Sequence, residues 1–169
     1  MAENYLGIDP SSVATGWGVV DNTGALIDWG VIKPNKRKLS EPQQAAFQYQ
    51  ALDEIIKKHN IKGVICEDQH RGPNTDTFKK LSRISGYVML LAGQHDIAFE
   101  FLHPSSWRKI TLGRGNADKD DALKWANETY NLLLTTKHYD IAEGIGIAKA
   151  AVVQFTGGST DGITGNKAG

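Results

Sequence analysis

The chain has 169 residues, of which 40% are hydrophobic and 22% charged, so its size and composition are those of a folded domain with one core. It carries 19 basic and 19 acidic residues, and this zero formal charge disfavours a strongly basic nucleic-acid-binding domain. The sequence contains neither an apolar run long enough to cross a membrane nor a signal peptide, so we expect no membrane partner.

Three short strands are predicted in the first third of the chain. They cover residues 5–9, 16–20 and 25–32, and the turn sequence Asp21-Asn22-Thr23-Gly24 separates the second from the third. Connections this short predict an antiparallel meander. A polar, basic loop follows at residues 34–39.

Helices and strands alternate after this loop. Ser40, Pro42 and Gln43 form a capping-box sequence that predicts a helix start. The buried stripe of this helix is predicted to contain Phe47, Leu52, Ile55 and Ile56. The apolar run at residues 63–67 is then typical of a central strand.

The second half adds one strand and three helices. Residues 77–92 have helical spacing of apolar side chains, residues 97–102 form a strand, and Asp118 caps a helix that runs to about Tyr130. A last helix begins near Asp140. The order β-β-β-α-β-α-β-α-α predicts an α/β protein with a mixed sheet flanked by helices. We predict one domain at residues 1–155 and a Gly/Ser/Thr-rich tail at 156–169.

Four acidic residues occupy positions that suit metal-dependent phosphodiester chemistry. Asp9 and Glu67 each end an apolar strand, and Asp140 and Glu143 lie three residues apart at the start of the last helix, on one face. Carboxylate oxygens are the ligands that Mg²⁺ prefers, and a pair of such ions can activate water and stabilise a leaving oxygen. Taken singly, each acid is more often a solvated turn residue or a helix cap.

Three segments together resemble the RuvC family of Holliday-junction resolvases. They are Gly7-Ile8-Asp9-Pro10-Ser11 followed by Thr15-Gly16-Trp17-Gly18, Ile65-Cys66-Glu67-Asp68-Gln69, and the stretch from Asp140 to Ala148. The resemblance spans roughly residues 4 to 153. It implies a ribonuclease-H-like fold with a five-stranded sheet, in a homodimer that cuts two opposed strands of a four-way DNA junction.

The resemblance also implies residue roles. Asp9, Glu67, Asp140 and Glu143 become the ligands of two Mg²⁺ ions, for which Mn²⁺ can substitute, with no organic cofactor. Asp68 competes with Glu67, but neighbours on a strand point to opposite faces, and the match favours Glu67. Gly144, where many relatives have alanine, indicates a close backbone contact. The implied location is the cytoplasm of a bacterium or of a phage-infected host.

A net-basic stretch supplies the predicted DNA contacts. Between Gln69 and Lys119 the chain has eight bases and four acids. By resemblance, Lys119 is assigned to catalysis and Arg108 to the phosphate near the cut, and His70 replaces an aromatic that stacks on a base in relatives. The remaining predicted DNA-binding residues are Lys109, Arg114, Arg71, Lys79, Lys80 and Arg83.

Several assignments stay open at this point. Trp17 and Trp107 are expected in the core or at an interface, and Cys66 is expected to be a buried thiol. His138 could approach the metals, carry a proton near neutral pH, or simply precede the last helix without a role. The helix at residues 77–92 is the candidate dimer surface. Rival functions are a related nuclease for forks, flaps or RNA–DNA hybrids, a non-catalytic junction-binding module, and a fragment of a sugar-kinase or actin-like protein. The last needs a duplicated domain, for which this chain is too short.

Overall fold

A computed structural model describes residues 3–69 and 72–158 of the chain. Five strands and five α-helices occur in these ranges, with a three-residue 3₁₀ helix, Thr136–His138, before the last. In chain order they are β1 (Asn4–Asp9), β2 (Thr15–Asp21), β3 (Leu26–Ile32), α1 (Glu41–His59), β4 (Ile61–Glu67), α2 (Thr75–Gln94), β5 (Ala98–Leu102), α3 (Pro104–Leu112), α4 (Lys119–Tyr130) and α5 (Tyr139–Thr156).

The strands form one mixed sheet in the order β3-β2-β1-β4-β5. β1, β2 and β3 pair antiparallel, whereas β4 runs parallel to β1 and β5 parallel to β4. The predicted five-stranded mixed sheet with its meander is therefore confirmed. Because Ile8 pairs with Cys66, the parallel strands β1 and β4 end side by side, with Asp9 and Glu67 at the same edge.

Helices cover both faces of the sheet. Side chains that alternate along β1 enter two cores, since Leu6 and Ile8 pack with α1 and α2, while Tyr5 packs with α3 and α5. Trp107 is the largest fully buried side chain of the second core. None of the helices described at residues 3–69 and 72–158 is long and apolar enough to cross a membrane.

Helix α5 lies directly on the backbone of β1 and β2. A methyl group at Gly16 would lie 1.8 Å from the Asp140 carbonyl oxygen, and one at Gly7 would lie 2.0 Å from the Ala148 nitrogen. From the helix side, a methyl group at Gly144 would lie 2.6 Å from the Trp17 backbone. The close backbone contact expected at Gly144 is thus present, and these glycines let the start of α5 approach the end of β1.

One helix was not predicted, and one side chain that was predicted to be buried is exposed. Helix α3 was not predicted; it begins after His103, whose side chain accepts a hydrogen bond from the Ser105 amide, and Pro104 occupies its first turn. Phe47 is 43% exposed instead of buried, and Gln48 is buried in its place. Within residues 3–69 and 72–158 the sheet ends at β3, so no strand of this part covers Phe47, which lines an open cavity beside Val31.

The chain beyond α5 is only partly described. α5 ends at Thr156, and Gly157 follows it in the left-handed conformation, φ 67°. Residues 159–169 lie outside the described ranges, so the tail at 156–169 and the domain boundary stay predictions.

Candidate active site

Three carboxylates meet where β1 ends and α5 begins. One oxygen each from Asp9, Asp140 and Glu143 lie within 4.8 Å of one another. Asp9 is the most buried of the three, at 8% exposed, because α5 covers the end of its strand. Three acidic side chains at this separation fit a shared cation, since nearby basic residues compensate their mutual repulsion only in part.

Glu67 approaches the same group from β4. The Trp107 indole Nε1 donates a hydrogen bond of 2.6 Å to its Oε2, and Gly146 leaves room for the indole, because a methyl group there would lie 2.7 Å from the ring. Asp68 is exposed, and its amide donates to the Leu102 carbonyl oxygen. The alternation along the strand therefore favours Glu67 over Asp68 at the site.

Burial and like charge oppose ionisation of this cluster. Burial raises the pKa of Asp9 well above its usual value, and the charges of Glu67, Glu143 and Asp140 raise it further. Burial also raises the pKa of Glu67 to about 7, against the lowering effect of the Trp107 hydrogen bond. The pKa of Asp140 is raised by burial, although Lys119 and Lys33 pull it down. Such a site favours a bound cation.

Arg108 supplies one positive charge inside the site. Its Nη2 lies 2.8 Å from Glu143 Oε1, and its guanidinium carbon lies 5.3 Å from the centroid of the Trp107 ring. Its Nε is buried and, within the described part of the chain, has no hydrogen-bond partner. Arg108 thus lies beside the predicted ligands, and its contact with DNA stays a prediction.

Lys119 lies near Asp140, whereas Arg108 pairs with Glu143. The Lys119 Nζ is 4.8 Å from the centroid of the Tyr139 ring, and the Tyr139 hydroxyl donates a hydrogen bond to Asp120. Tyr139 therefore holds the ammonium group near Asp140, whose pKa it lowers. Sequence reasoning did not identify Tyr139, although its position next to Asp140 was a signal.

Lys33 is a second residue that sequence reasoning missed. It follows β3 directly, and its charge lowers the pKa of Asp140. The pairing of Ile32 with Thr15, and of Val31 with Gly16, brings the end of β3 to the point where Asp140 lies over Gly16. Only the register of the sheet reveals this proximity.

The other predicted bases are spread over the surface. Lys109, Lys79 and Lys80 are exposed. Arg114 pairs with Asp121 at 2.6 Å, and Arg83 forms an ion pair with Glu41. His70 and Arg71 lie outside the described residues. None of these DNA-binding roles is tested by the geometry, and they stay predictions.

The remaining single-residue assignments resolve as follows. Trp107 is fully buried, Trp17 packs against the core under α1, and Cys66 is buried with its thiol pKa raised by burial. His138 ends the 3₁₀ helix, where its Nδ1 accepts a hydrogen bond from the Thr135 amide. It is outside the three-carboxylate group found among the described residues.

Solved structures with the same architecture define the class of protein. The structure of Thermus thermophilus RuvC has a TM-score of 0.75 at 18% identity, covering 91% of this chain and 96% of that one. The structure of T. thermophilus RuvC in complex with a Holliday junction substrate has a TM-score of 0.78 at 18% identity, covering 92% of this chain and 96% of that one. The predicted ribonuclease-H-like fold is thereby confirmed.

Sequence comparison then identifies the family. The family model for "Crossover junction endodeoxyribonuclease RuvC" matches residues 5–151. The RuvC of Alkaliphilus metalliredigens is 30% identical over 146 residues, covering 85% of this chain and 88% of the relative. That of Chloroherpeton thalassium is 26% identical over 146 residues, covering 85% and 78%. The chain belongs to the RuvC family, as its motifs predicted.

Proposed function

We propose that this protein is an endonuclease that resolves four-way DNA junctions by paired symmetric nicks. Membership of a family of crossover junction endodeoxyribonucleases supports this function. The observation that carries the mechanism is the convergence of Asp9, Asp140 and Glu143 within 4.8 Å, with Glu67 close enough to raise the pKa of Asp9. Relatives from bacteria are consistent with the proposed cytoplasmic location.

The donor set fits divalent cations, and we assign them as Mg²⁺. All four candidate ligands are carboxylates, and the single thiol, Cys66, is buried in the core, so hard cations are favoured over thiophilic ones. Asp9, Asp140 and Glu143 would hold one ion, and Glu67 would complete a second position with Asp9. When bound, the metal lowers the pKa of water and stabilises the leaving oxygen.

The surrounding residues prepare the site for a phosphodiester. Trp107 fixes one oxygen of Glu67 and leaves the other free to bind. Lys119, held over Tyr139, presents an ammonium group beside Asp140, where it would stabilise charge that develops on the scissile phosphate. Arg108 is within reach of the same phosphate once Glu143 binds metal instead of the guanidinium. These groups would bind and orient the strand while the carboxylates activate the attack.

A two-fold homodimer suits a substrate with two equivalent strands. Helix α2, the predicted dimer surface, exposes Met89 and Leu90 by 53% and 54%. Exposed apolar side chains that adjoin on one helix favour association with a partner surface. The first prediction is that Leu90→Glu converts a dimer to a monomer and lowers junction affinity by at least 10-fold.

Sedimentation equilibrium and junction binding in parallel would check the dimer. Leu133→Glu is the matched control, because Leu133 is 94% exposed and lies far along the chain from α2, between α4 and the 3₁₀ helix. The control should leave the mass unchanged. A wild-type protein that sediments as a monomer while bound to the junction would exclude the proposed dimer.

The proposed activity is tested with a panel of substrates. Junction, fork, flap, linear duplex and RNA–DNA hybrid are offered with Mg²⁺, and the cuts are mapped on each strand. We expect paired nicks at symmetric positions on the junction. Stronger cutting of forks, flaps or hybrids would select a different substrate for the same chemistry, and binding without cutting would select a non-catalytic module.

The second prediction concerns Asp9. Asp9→Asn keeps the shape of the side chain and removes one charge from the ligand group, so we expect cleavage to fall by at least about 10³-fold, whereas junction binding changes little. Asp96→Asn is the matched control, because Asp96 is exposed with a positive φ of 51° that asparagine also tolerates. Retained cleavage by Asp9→Asn would remove this carboxylate from the mechanism.

A further inference from the structure

A groove opens on the α1 and α2 face of the sheet, and the turn that follows Asp9 and β1 forms part of its wall. Its cavity volume is about 210 Å³, and it is bounded by the turn after β1, the segment after β3, α1 and α2. Polar and basic side chains predominate in its lining. We call this cavity the basic groove. The lining residues on which the proposal depends are Ser12, Lys36, Glu41, Gln48, Lys80 and Arg83.

Positive charge predominates in the basic groove. Lys36 comes from the segment after β3, whereas Lys80 and Arg83 come from α2 on the opposite wall. Glu41, in the first turn of α1, is the acid among these lining residues, and it forms an ion pair with Arg83. A negatively charged ligand would therefore meet Lys36 and Lys80, which have no ion-pair partner among the described residues, and Arg83, whose charge Glu41 partly neutralises.

The wall near the carboxylates is held in a fixed shape. Ser12 lies three residues after Asp9, and the preceding Ser11 carbonyl oxygen accepts a hydrogen bond of 3.0 Å from Thr15 Oγ1. The same Thr15 hydroxyl lies 3.0 Å from Oε1 of Gln48, a buried side chain that also lines the groove. The turn after β1 thus joins the site to the groove.

The segment after β3 connects the same two places. It starts with Lys33, at the point where β3 comes close to Asp140, and reaches Lys36 in the groove three residues later. Lys33, Lys36, Arg37 and Lys38 place four bases within six residues. A DNA strand that passes from the carboxylates around the ends of β1 and β3 into the groove would meet this run of charge.

We propose that the basic groove binds the backbone phosphates of the DNA strand adjacent to the cut, with Lys36 and α2 contacting them from opposite walls. The proposal rests on the proposed nuclease function and adds a second wall of contacts, from residues 33–38, to those predicted on α2. It assigns a phosphate-binding role to a loop that the sequence marked only as polar and basic. Contacts of this kind position a strand without reading its bases.

The main test measures junction binding over a range of salt concentrations, without divalent ions so that no cutting occurs. Each lost phosphate contact reduces the slope of log K against log salt by about 0.7–0.9. We expect this reduction for Lys36→Ala, together with a several-fold loss of affinity. Lys62→Ala is the matched control, because Lys62 is an exposed lysine near the start of β4, at the opposite end of the strand from Glu67. Its slope should equal that of the wild type.

A second variant changes affinity in the opposite direction. Glu41→Gln releases Arg83 from its ion pair and removes the negative charge from this wall, so we expect tighter binding, by a few-fold, and a steeper salt dependence. Weaker or unchanged binding would contradict a phosphate ligand in the groove. Thermal melting of each variant without DNA shows whether folding is affected.

Cross-linking tests where the DNA strand lies relative to Lys36. Since Cys66 is buried, Lys36→Cys introduces a thiol that a reagent can reach. An azidophenacyl group is attached to this new thiol. Adducts should fall on the cleaved strand within a few nucleotides of the cut. If the wild-type protein cuts junctions but Lys36→Ala leaves the salt slope unchanged, or the adducts fall elsewhere, the groove proposal is overturned and the proposed function stands. A wild-type protein that neither binds nor cuts overturns the proposed function, and the groove proposal with it.

Discussion

Trp107 links the second core to the chemistry of Glu67. The indole is fully buried, yet its Nε1 donates to the carboxylate at 2.6 Å. A hydrogen bond to the charged form of an acid lowers its pKa, and here it opposes the larger effect of burial, which raises the pKa of Glu67 to about 7. A residue whose sequence context favours the core therefore adjusts the ionisation of a proposed metal ligand.

The third prediction follows from this hydrogen bond. Trp107→Phe keeps an aromatic ring in the core but removes the donor, so the pKa of Glu67 should rise further. We expect about 10-fold slower cleavage at pH 7, with part of the loss recovered at pH 9, because more of the carboxylate is ionised there. The smaller ring should also lower the unfolding free energy by roughly 1–3 kcal/mol.

The pH profile separates the electrostatic effect from the loss of packing. Trp125→Phe is the control for the change in ring size. Trp125 makes an edge-on contact with Tyr130 on α4, whereas the indole that donates to Glu67 is that of Trp107. A rate lowered equally at every pH in Trp107→Phe would show that Trp107 acts only through packing.

At the residue scale, the sequence predicted the acids but not their partners. Asp9 and Glu67 were recognisable because each ends an apolar run, and Asp140 and Glu143 because of their spacing. The pairing of Arg108 with Glu143 and the proximity of Lys33 to Asp140 depend on contacts between distant segments. No local pattern encodes such contacts. The roles assigned to the individual residues stay predictions until variants are assayed.

Helix α5 is the element that assembles the site. It packs on the second face of the sheet through glycines on both elements, including Gly7, Gly16 and Gly144, each of which lies against the backbone of the other element. Its first turn carries Asp140 and Glu143 to the end of β1 because nothing separates the two backbones. Displacement of this helix by about the size of a methyl group would alter the spacing of the carboxylate group.

The fourth prediction tests this contact. A methyl group at Gly16 would lie 1.8 Å from the Asp140 carbonyl oxygen, so Gly16→Ala must displace the start of α5. We expect a loss of roughly 1–3 kcal/mol in unfolding free energy, as for other overpacked sites, and at least about 10²-fold slower cleavage. Urea unfolding and cleavage assays would measure the two effects.

Gly93→Ala on α2 is the control for Gly16→Ala, because the added methyl group should stabilise the fold instead of destabilising it. No described atom lies within 4 Å of a methyl group there, and alanine favours a helix over glycine by about 1 kcal/mol. This control should be slightly stabilised. Normal cleavage by Gly16→Ala would show that the site tolerates movement of α5.

Elements with a strong local pattern were predictable, and those that depend on the sheet edge were not. The β1–β2–β3 meander follows from short turns, and the capping box at Ser40 correctly marks the start of α1. Helix α3 has only nine residues, with a single buried one, Trp107, so its periodic signal is weak. Phe47 has helical spacing with the buried residues, but β3 is an edge strand and leaves it uncovered.

At the scale of the whole molecule, the zero net charge conceals a concentration of acid in the interior. In the absence of metal, the folded protein keeps protons on buried carboxyls that the unfolded chain releases. Burial raises the pKa of Glu67 to about 7 in the folded protein, against 4.5 for an unburied glutamate. Between these values the folded state binds more protons, so the unfolding free energy falls as pH rises and is lowest above pH 7.

The fifth prediction is a pH-dependent stabilisation by metal. We expect Mg²⁺ to raise the melting temperature by several degrees at pH 8 and by much less at pH 5, because the ligands must release their protons to bind it. Calorimetry with and without the ion would measure this difference. Asp9→Asn should reduce the shift at pH 8, and equal shifts at both pH values would place the ion elsewhere.

The proposed ligands lie near both ends of the described chain, and this order has a consequence during synthesis. Asp9 emerges from the ribosome early, but Asp140 and Glu143 are made only after the whole sheet. A nascent chain that lacks α5 has neither the complete ligand set nor the helix that covers β1 and β2. A chain that ends before α5 would therefore lack the proposed metal site, and cutting activity would require translation of the domain to be nearly finished.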